Sequence, residues 1–278
     1  MKTGLILAGG AMRGMYTAGV LDIFLDEQIT VDGIAGISAG AVFGVNFLSG
    51  QRGRVIRYNK RFNRDKNYMG LKPLLRTGNI VDTGYAYHTV PEELDRFDDE
   101  IFQASKVPFY AGVTCVETGE AKLVKIDSVF GQMDVLRASA SMPFVSRAVE
   151  LDGQHYLDGD IADCLPYGKM FDMGYDRLIV VLTREIGYQK KPVSPAMAKV
   201  CYGRHREFTA ALLRRHERYN DSVKELERLQ REGKVYLIAP SEAITIGRIE
   251  KDPERLQQVY ELGLRDGRAS AKAIKKRF

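Results

Sequence analysis

The sequence predicts a three-layer α/β/α sandwich with a mainly parallel central sheet. Three observations carry that prediction. Near the start, 4-GLILA-8 and 31-VDGIAGI-37 are short apolar runs, each followed by a glycine-bearing turn and then a helical pattern. That rhythm makes βαβ units, whose strands run parallel. Late in the chain 177-RLIVVLT-183 and 234-KVYLIAP-240 read as further buried strands around a long polar helical stretch. The chain has 278 residues, 45% apolar and 28% charged, which suits a soluble protein with ample material for a core. No repeat, low-complexity linker or composition break divides it, so a single domain over residues 1–278 is expected.

The elements follow in order. After 4-GLILA-8 comes a glycine-rich turn, 9-GGAMRG-14, and then a helix over 15–27 with Val20, Ile23 and Phe24 at helical spacing. The second strand is 31–37 and the second helix 39–48. Residues 68–91 read as a long loop, fit for a lid or a substrate-facing insertion. Residues 107–126 read as two strands joined at Thr118-Gly119-Glu120. A helix near 132–140 precedes Pro143. The stretch 147–160 reads as a hairpin turning at Asp152-Gly153, a dipeptide suited to positive φ. One or two polar helices cover about 195–232, and a last helix opens on Pro253 and runs over 253–276.

Composition narrows the function. No apolar run approaches the roughly 20 residues of a membrane helix. The N-terminus lacks the length of a signal peptide, and neither end carries a lipidation signal. A cytoplasmic location is the expectation, with peripheral contact at the inner membrane surface left open. Cys115, Cys164 and Cys201 form no C-x-x-C pair, and four histidines occur without H-E-x-x-H. No metal, no cofactor and no disulfide framework is therefore expected. The net charge of +5 is concentrated locally. In 52-RGRVIRYNKRFNRDK-66 seven basic residues face one acid, with Tyr58 and Phe62 interleaved, and 204-RHREFTAALLRRHER-218 is a second cluster. Such patches attract phosphates of lipid or nucleic acid, or are simply solvated helix faces.

Three stretches carry candidate chemistry. Gly36, Ser38 and Gly40 spell G-x-S-x-G between a strand and a helix. That context holds a serine on a tight turn at a helix N-terminus, where developing negative charge is favoured. A serine hydroxyl still needs a base. The turn 8-AGGAMRG-14 leaves backbone N–H groups free for an anion. It is no phosphate loop, because Met15-Tyr16 stand where Lys and Ser/Thr belong. Finally, Asp158 ends a strand in 156-YLDGD-160, and a D-G aspartate is by itself more often structural.

Taken together and in order, these stretches resemble the patatin-like phospholipase family. That family has a glycine-rich oxyanion loop of the form G-G-G-x-R/K-G, a G-x-S-x-G elbow and a later D-G-G or D-G-A aspartate. Here the corresponding residues are Gly9-Gly10-Ala11-Met12-Arg13-Gly14, Gly36-Ile37-Ser38-Ala39-Gly40 and Asp158-Gly159-Asp160. The segments 15-MYTAGVL-21 and 137-RASASMPF-144 look like the family's too. The motif-bearing core spans about residues 4–168, and the tail from about 170 to 278 looks like the extension of some bacterial members.

The resemblance implies a Ser–Asp dyad that hydrolyses acyl esters of phospholipids and other lipids without a metal. Ser38 would be the nucleophile and Asp158 the general base, direct or through water. Backbone N–H groups of Gly9, Gly10 and Ala11 would form the oxyanion hole, with Ala39 a further candidate donor. The partner would be a lipid or acyl-ester substrate; no nucleic acid is expected, and oligomeric state leaves no signature.

Two residues depart from the pattern. Ala11 replaces the third loop glycine, at a cost of about 1 kcal/mol if φ is positive there. Asp160 replaces the second glycine of D-G-G and puts a carboxylate near Asp158, either raising its pKa or pointing into solvent. A Ser–Asp–His triad is permitted by the order of His205 and His216, but both lie in an arginine-rich helical stretch. His155 sits at odd spacing from Asp158, on the opposite strand face. The alternatives are a non-catalytic lipid- or phosphate-binding protein on the same scaffold, and a nucleic-acid-binding module built on the glycine turn and the basic patches.

Overall fold

The computed structural model describes residues 1–277. Eight strands form one sheet: β1 (Thr3–Leu7), β2 (Gly33–Ile37), β3 (Phe109–Cys115), β4 (Ala121–Ile126), β5 (Val149–Leu151), β6 (Gln154–Asp158), β7 (Arg177–Val181) and β8 (Val235–Ile238). Their spatial order is β5-β6-β3-β2-β1-β7-β8, with β4 pairing β3. The pairs β1–β2, β1–β7, β2–β3 and β7–β8 are parallel, and the hairpin strands run antiparallel.

Alternation along the strands builds two cores. Leu5 and Leu7 of β1, with Ile179 and Val181 of β7, pack on α1 (Met15–Asp26) and α2 (Ala39–Leu48). Ile6, Leu178 and Val180 point the other way. They meet Met170 of α7 (Tyr167–Asp172) and Tyr219, Val223, Leu226 and Leu229 of α9 (Arg206–Arg231). Helical layers therefore cover both faces of the sheet, as the sequence predicted.

β3 has a divided edge, and the division brings distant segments together. Phe109–Gly112 pair with both β2 and β4, so those strands lie on opposite edges. Val113 and Thr114 pair with both β4 and β6, so β6 shares the edge used by β2. Ile37 is opposite Gly112, and Asp158 is opposite Val113, the next residue along. The C-terminal ends of β2 and β6 thus meet head to head.

The tail is woven into this frame. β7 and β8 extend the sheet beyond β1, and α8 (Pro195–Tyr202) leads into α9. The last helix, α10 (Pro253–Arg277), lies along α1 so closely that glycine is required on both sides. A Cβ on Gly19 would sit 2.3 Å from the Tyr260 carbonyl oxygen, and one on Gly263 would sit 2.1 Å from that of Tyr16. Tyr260 Oη also donates to buried Asp22 Oδ2 at 2.5 Å.

Two readings of the sequence need correction. Residues 68–91 are not a loop: they contain α4 (Leu71–Thr77) and most of a wide helix over Tyr85–Leu94, in which Asp95 N–H reaches back five residues to Val90 O. Pro91 inside it, and a polar mixture without helical period, conceal the helix. The basic segment forms α3 (Arg54–Phe62), and Tyr58 and Phe62 are buried rather than displayed. Arg52 pairs with Asp26, and Arg54 and Arg57 pair with Asp95, which follows the wide helix and precedes α5 (Asp99–Ala104). The expected turn at Asp152-Gly153 has φ of 50° and 76°. Among the described residues no helix is long and apolar enough to cross a membrane.

Candidate active site

Ser38 stands alone between β2 and α2, with φ 55° and ψ −120°. Positive φ is strained for a serine and is held only where the surroundings force it. The neighbouring glycines show what forces it. A Cβ on Gly36 would come within 2.6 Å of Ala41 Cα, and one on Gly40 within 2.1 Å of the Leu7 carbonyl oxygen. The chain turns here with no room for side chains on either side of Ser38. The Ser38 N–H is held by Ser139 Oγ at 3.0 Å, on α6 (Met133–Ser139), and its carbonyl accepts from Ala41 and Val42.

The divided edge of β3 delivers Asp158 to this turn. Ser38 Oγ donates to Asp158 Oδ2 at 2.8 Å, across 120 residues of sequence. Asp158 Oδ1 accepts the backbone N–H of Asp160 at 2.9 Å. The Asp158 backbone is held at both ends, its N–H by Ser141 O and its carbonyl by Thr114 Oγ1, each at 2.9 Å. Gly159 follows because a Cβ there would meet the Gly112 carbonyl oxygen at 2.3 Å. Burial pushes the Asp158 carboxyl up to about 6, and the charge of Asp160 adds to the shift. The Asp160 N–H, Arg215 and the Ser38 hydroxyl pull in the other direction.

The glycine turn closes the third side. Gly9, Gly10 and Ala11 line one cavity with Ser38 and Asp158. A Cβ on Gly9 would be 3.0 Å from Ser38 Cβ, and one on Gly10 would be 2.5 Å from Thr183 Oγ1. Thr183, just past β7, fixes the turn by donating to Gly9 O at 2.6 Å. Among the described residues no hydrogen bond holds the N–H of Gly9 or Gly10. Ala11 and Ala39 each open a helical turn, so their N–H groups lack intrahelical acceptors. Ala11 has φ 49°, so the alanine occupies a position that favours glycine.

Two cavities of opposite character meet at Ser38, Ala11, Met142 and Arg248. One is walled by apolar side chains such as Val42, Phe43, Met69, Val90 and Leu136. The other carries Arg13, Arg184, Lys190, Lys191, Arg215 and Arg248 against Asp158 and Asp160. Asp160 does not point into solvent. Lys190 Nζ reaches both its oxygens at 2.7 and 3.0 Å, and Arg215 bonds Oδ2. These cations hold the Asp160 carboxyl far below the usual range, against its burial. Arg13, Arg184 and Arg248 have no ion-pair partner among the described residues. Burial and the other two guanidiniums bring Arg13 down to about 10, and its Nε is buried without an acceptor.

None of the four histidines approaches this centre through a hydrogen bond. His88 is with Glu92, His155 with Glu117 and His216 Nδ1 with Leu213 O, while His205 precedes α9. The described residues contain no group of three or more His, Cys, Asp or Glu arranged to hold a metal. The cysteines are free, Cys115 and Cys164 buried and Cys201 exposed. Sequence reading missed Thr183, and it gave Ser139 no task although 137-RASASMPF-144 had drawn notice. It also missed the cationic wall, whose members are scattered from Arg13 to Arg248.

Several known proteins and protein families are similar to this chain. A family model described as a domain of unknown function (DUF6363) matches residues 205–278. The uncharacterized protein YjjU of Escherichia coli (strain K12) is 29% identical over 187 residues, which is 66% of this chain and 52% of that protein. Lysophospholipase nte1 of Emericella nidulans is 26% identical over 64% of this chain and 12% of its own length. VipD from Legionella pneumophila overlaps 98% of this chain and 67% of its own with a TM-score of 0.48 and 13% identity. The chain thus spans at most about half the length of these two curated relatives. The model of the patatin-like phospholipases matches residues 5–170, which hold the glycine turn, the elbow and Asp158, and the chain belongs to that family.

Proposed function

We propose that the chain hydrolyses carboxylic esters of lipids, with Ser38 as nucleophile and Asp158 as general base. The observation that carries this reading is the 2.8 Å bond from Ser38 Oγ to Asp158 Oδ2 beside a cavity lined by apolar side chains. In the reaction Ser38 Oγ attacks the acyl carbonyl carbon while its proton passes to Asp158. The carbonyl oxygen takes up the negative charge and faces the N–H groups of Gly9, Gly10 and Ala11, with Ala39 a further donor. The alcohol leaves with the proton from Asp158, and the acyl group stays on Ser38. Water then attacks the acyl-enzyme, losing its proton to Asp158; the bond from the acyl carbon to Ser38 Oγ breaks, Oγ takes that proton from Asp158, and a fatty acid is released.

The two cavities support a substrate with an acyl chain on one side of the ester and an anionic alcohol on the other. The apolar wall removes hydrocarbon from water at about 25 cal/mol per Å². Three guanidiniums without carboxylate partners favour a phosphate on the leaving group. A phospholipid or lysophospholipid has that layout, and the name of the fungal relative fits it. The headgroup is therefore assigned to Arg13, Arg184 and Arg248 rather than to the segment 52–66. Peripheral membrane contact is assigned to α4. Its Leu71 and Leu75 are 74% and 87% exposed one turn apart, Lys72 and Arg76 adjoin them, and nearby Met69, Ile80 and Val81 line the apolar cavity.

A fluorophosphonate tests the reading directly. Wild-type protein should be labelled covalently and should cleave a panel of acyl esters, and Ser38→Ala should do neither. Vesicle binding with no labelling of the wild type would instead establish the non-catalytic lipid-binding alternative.

A further inference from the structure

We propose that helix α9 of the tail is a working part of the active site. Arg215, together with Lys190, holds the Asp160 carboxylate turned away from Asp158, so that the turn after β6 offers Asp158 a backbone N–H instead of a second negative charge. Asp160, Lys190 and Arg215 are then positioning residues, and the inference rests on Asp158 being the base for Ser38.

The geometry is a clamp on one short turn. Lys190 and Arg215 engage the Asp160 carboxylate from two directions, and the three side chains are only 12–16% exposed. Arg215 Nε also donates to the Asp160 carbonyl at 3.2 Å. One turn along α9, Arg218 Nη1 donates to the carbonyls of Ile161 and Ala162, each at 3.2 Å. The same helix fixes Lys190. Asn220 accepts its N–H at 2.8 Å and donates to its carbonyl at 3.3 Å, and its ammonium stands 4.4 Å from the Tyr219 ring centre. The product of this clamp is the 2.9 Å bond from Asp160 N–H to Asp158 Oδ1, which leaves Oδ2 for Ser38.

The chemistry explains why the clamp exists. A carboxylate two residues from a buried base disfavours ionisation of that base. Lys190 and Arg215 offset the charge of Asp160, so Asp158 can ionise beside it. Asp158 also interacts with the Tyr87 phenol of the wide helix, and Asp160 with Arg13, Cys164 and Tyr219. Removing Arg215 leaves Lys190 as the ion-pair partner of Asp160 among the described residues, with Arg13 acting on it only through space. A glycine in place of Asp160 would need no clamp, so the aspartate and the two cations form one unit shared between the motif-bearing core and the tail.

The experiment is the rate of fluorophosphonate labelling of Ser38 against pH, on the full chain, with thermal unfolding measured in parallel. Arg215→Gln should move the acid limb up from near 6 by on the order of one pH unit, which slows labelling about twofold at pH 7 and roughly tenfold at pH 5. Arg215→Lys should recover most of that loss. Asp160→Asn leaves both cations unopposed and should move the limb down. The double variant Asp160→Asn with Arg215→Gln should return it towards the wild-type position, which a merely structural role would not do. An unmoved limb in Asp160→Asn, whatever its unfolding temperature, would overturn the proposal even if Arg215→Gln did not fold. Asp158→Asn separates this from the underlying reading. Wild-type labelling in that variant would remove the base assignment and this inference with it. A silent Asp158→Asn with unmoved limbs in Asp160→Asn and Arg215→Gln would remove this inference alone.

Discussion

The apolar and cationic walls that meet at Ser38 come from different stretches of chain and obey different rules. The apolar wall is built mostly from residues 39–142, whose side chains are extensions of the core. Each is satisfied by contact alone, with no demand for a particular partner. The cationic wall takes Arg13 from the glycine turn and the rest from the tail, at Arg184, Lys190, Lys191, Arg215 and Arg248. Charges near a buried centre need partners. Asp160 satisfies Lys190 and Arg215, and Arg13, Arg184 and Arg248 have no ion-pair partner among the described residues. The core thus supplies Ser38, Asp158 and the apolar wall, and the tail supplies most of the charge.

The largest effect should come from breaking the point where the walls join. Ser38→Ala and Asp158→Asn should each lower kcat/KM by about 10³-fold or more, as removal of a nucleophile or its base does elsewhere. Binding of a substrate-like lipid should survive in both variants, because neither wall is touched. A titration of lipid binding beside an ester-hydrolysis assay reads both quantities.

The next effects should separate the walls from each other. Val42 lines the apolar cavity one helical turn beyond Ser38. Val42→Phe should lower kcat/KM for long-chain esters roughly tenfold and spare short-chain esters, which do not reach past it. Arg184 donates to Ile244 O and stacks its guanidinium 4.5 Å from the centre of the Tyr188 ring. Arg184→Gln should lower kcat/KM for esters with a phosphate on the alcohol by about tenfold, and leave neutral esters of the same chain unchanged. Equal losses on both ester classes in either variant would show that the cavities do not divide the substrate as proposed.

A smaller effect appears in stability and has the opposite sign to activity. The folded-state carboxyl of Asp158 titrates near 6, above the ordinary value of 3.8. Protonation therefore favours the folded state, and that stability is lost as pH rises from about 4 through 6. Above 6 the penalty is fully present. Asp158→Asn removes it and should be more stable than wild type by about 1–3 kcal/mol at pH 7.5, less any hydrogen bonding lost with the carboxylate. Urea unfolding at pH 7.5 and 4.5 checks the sign, since the advantage should shrink at the lower pH.

The two walls also differ in how much of them could be read before folding. Ser38, the glycine turn and Asp158 each sit where a strand yields to a turn, and local patterns report such places well. What joins them is the divided edge of β3, where β2 stops at Gly112 and β6 takes over at Val113. No periodicity within a segment records which strands share an edge. The apolar wall was partly hidden because residues 68–91, read as a loop, fold as α4 and most of the wide helix that carries Pro91. The cationic wall was hidden almost wholly. Lys190, Arg215 and Arg248 look like surface charge until α9 packs against the turn at Asp160, and 204-RHREFTAALLRRHER-218 shows in sequence only its net charge and two histidines.

The smallest effect concerns Ala11, the one residue of the glycine turn that lines both cavities. Its φ of 49° costs an alanine about 1–2 kcal/mol relative to a glycine. Glycine in turn costs about 0.4–1 kcal/mol through the greater freedom of the unfolded chain. Ala11→Gly should therefore stabilise the protein by no more than about 1.6 kcal/mol and speed labelling of Ser38 at most a few-fold. Asp152 supplies a control, since it has φ 50° in an exposed hairpin far from Ser38 in function. An aspartate tolerates that region better than alanine, so Asp152→Gly should gain less than Ala11→Gly. Equal gains would mean that only the backbone angle matters at Ala11. A loss of stability in Ala11→Gly would mean that its methyl group, packed where the two walls meet, contributes more than the strain it carries.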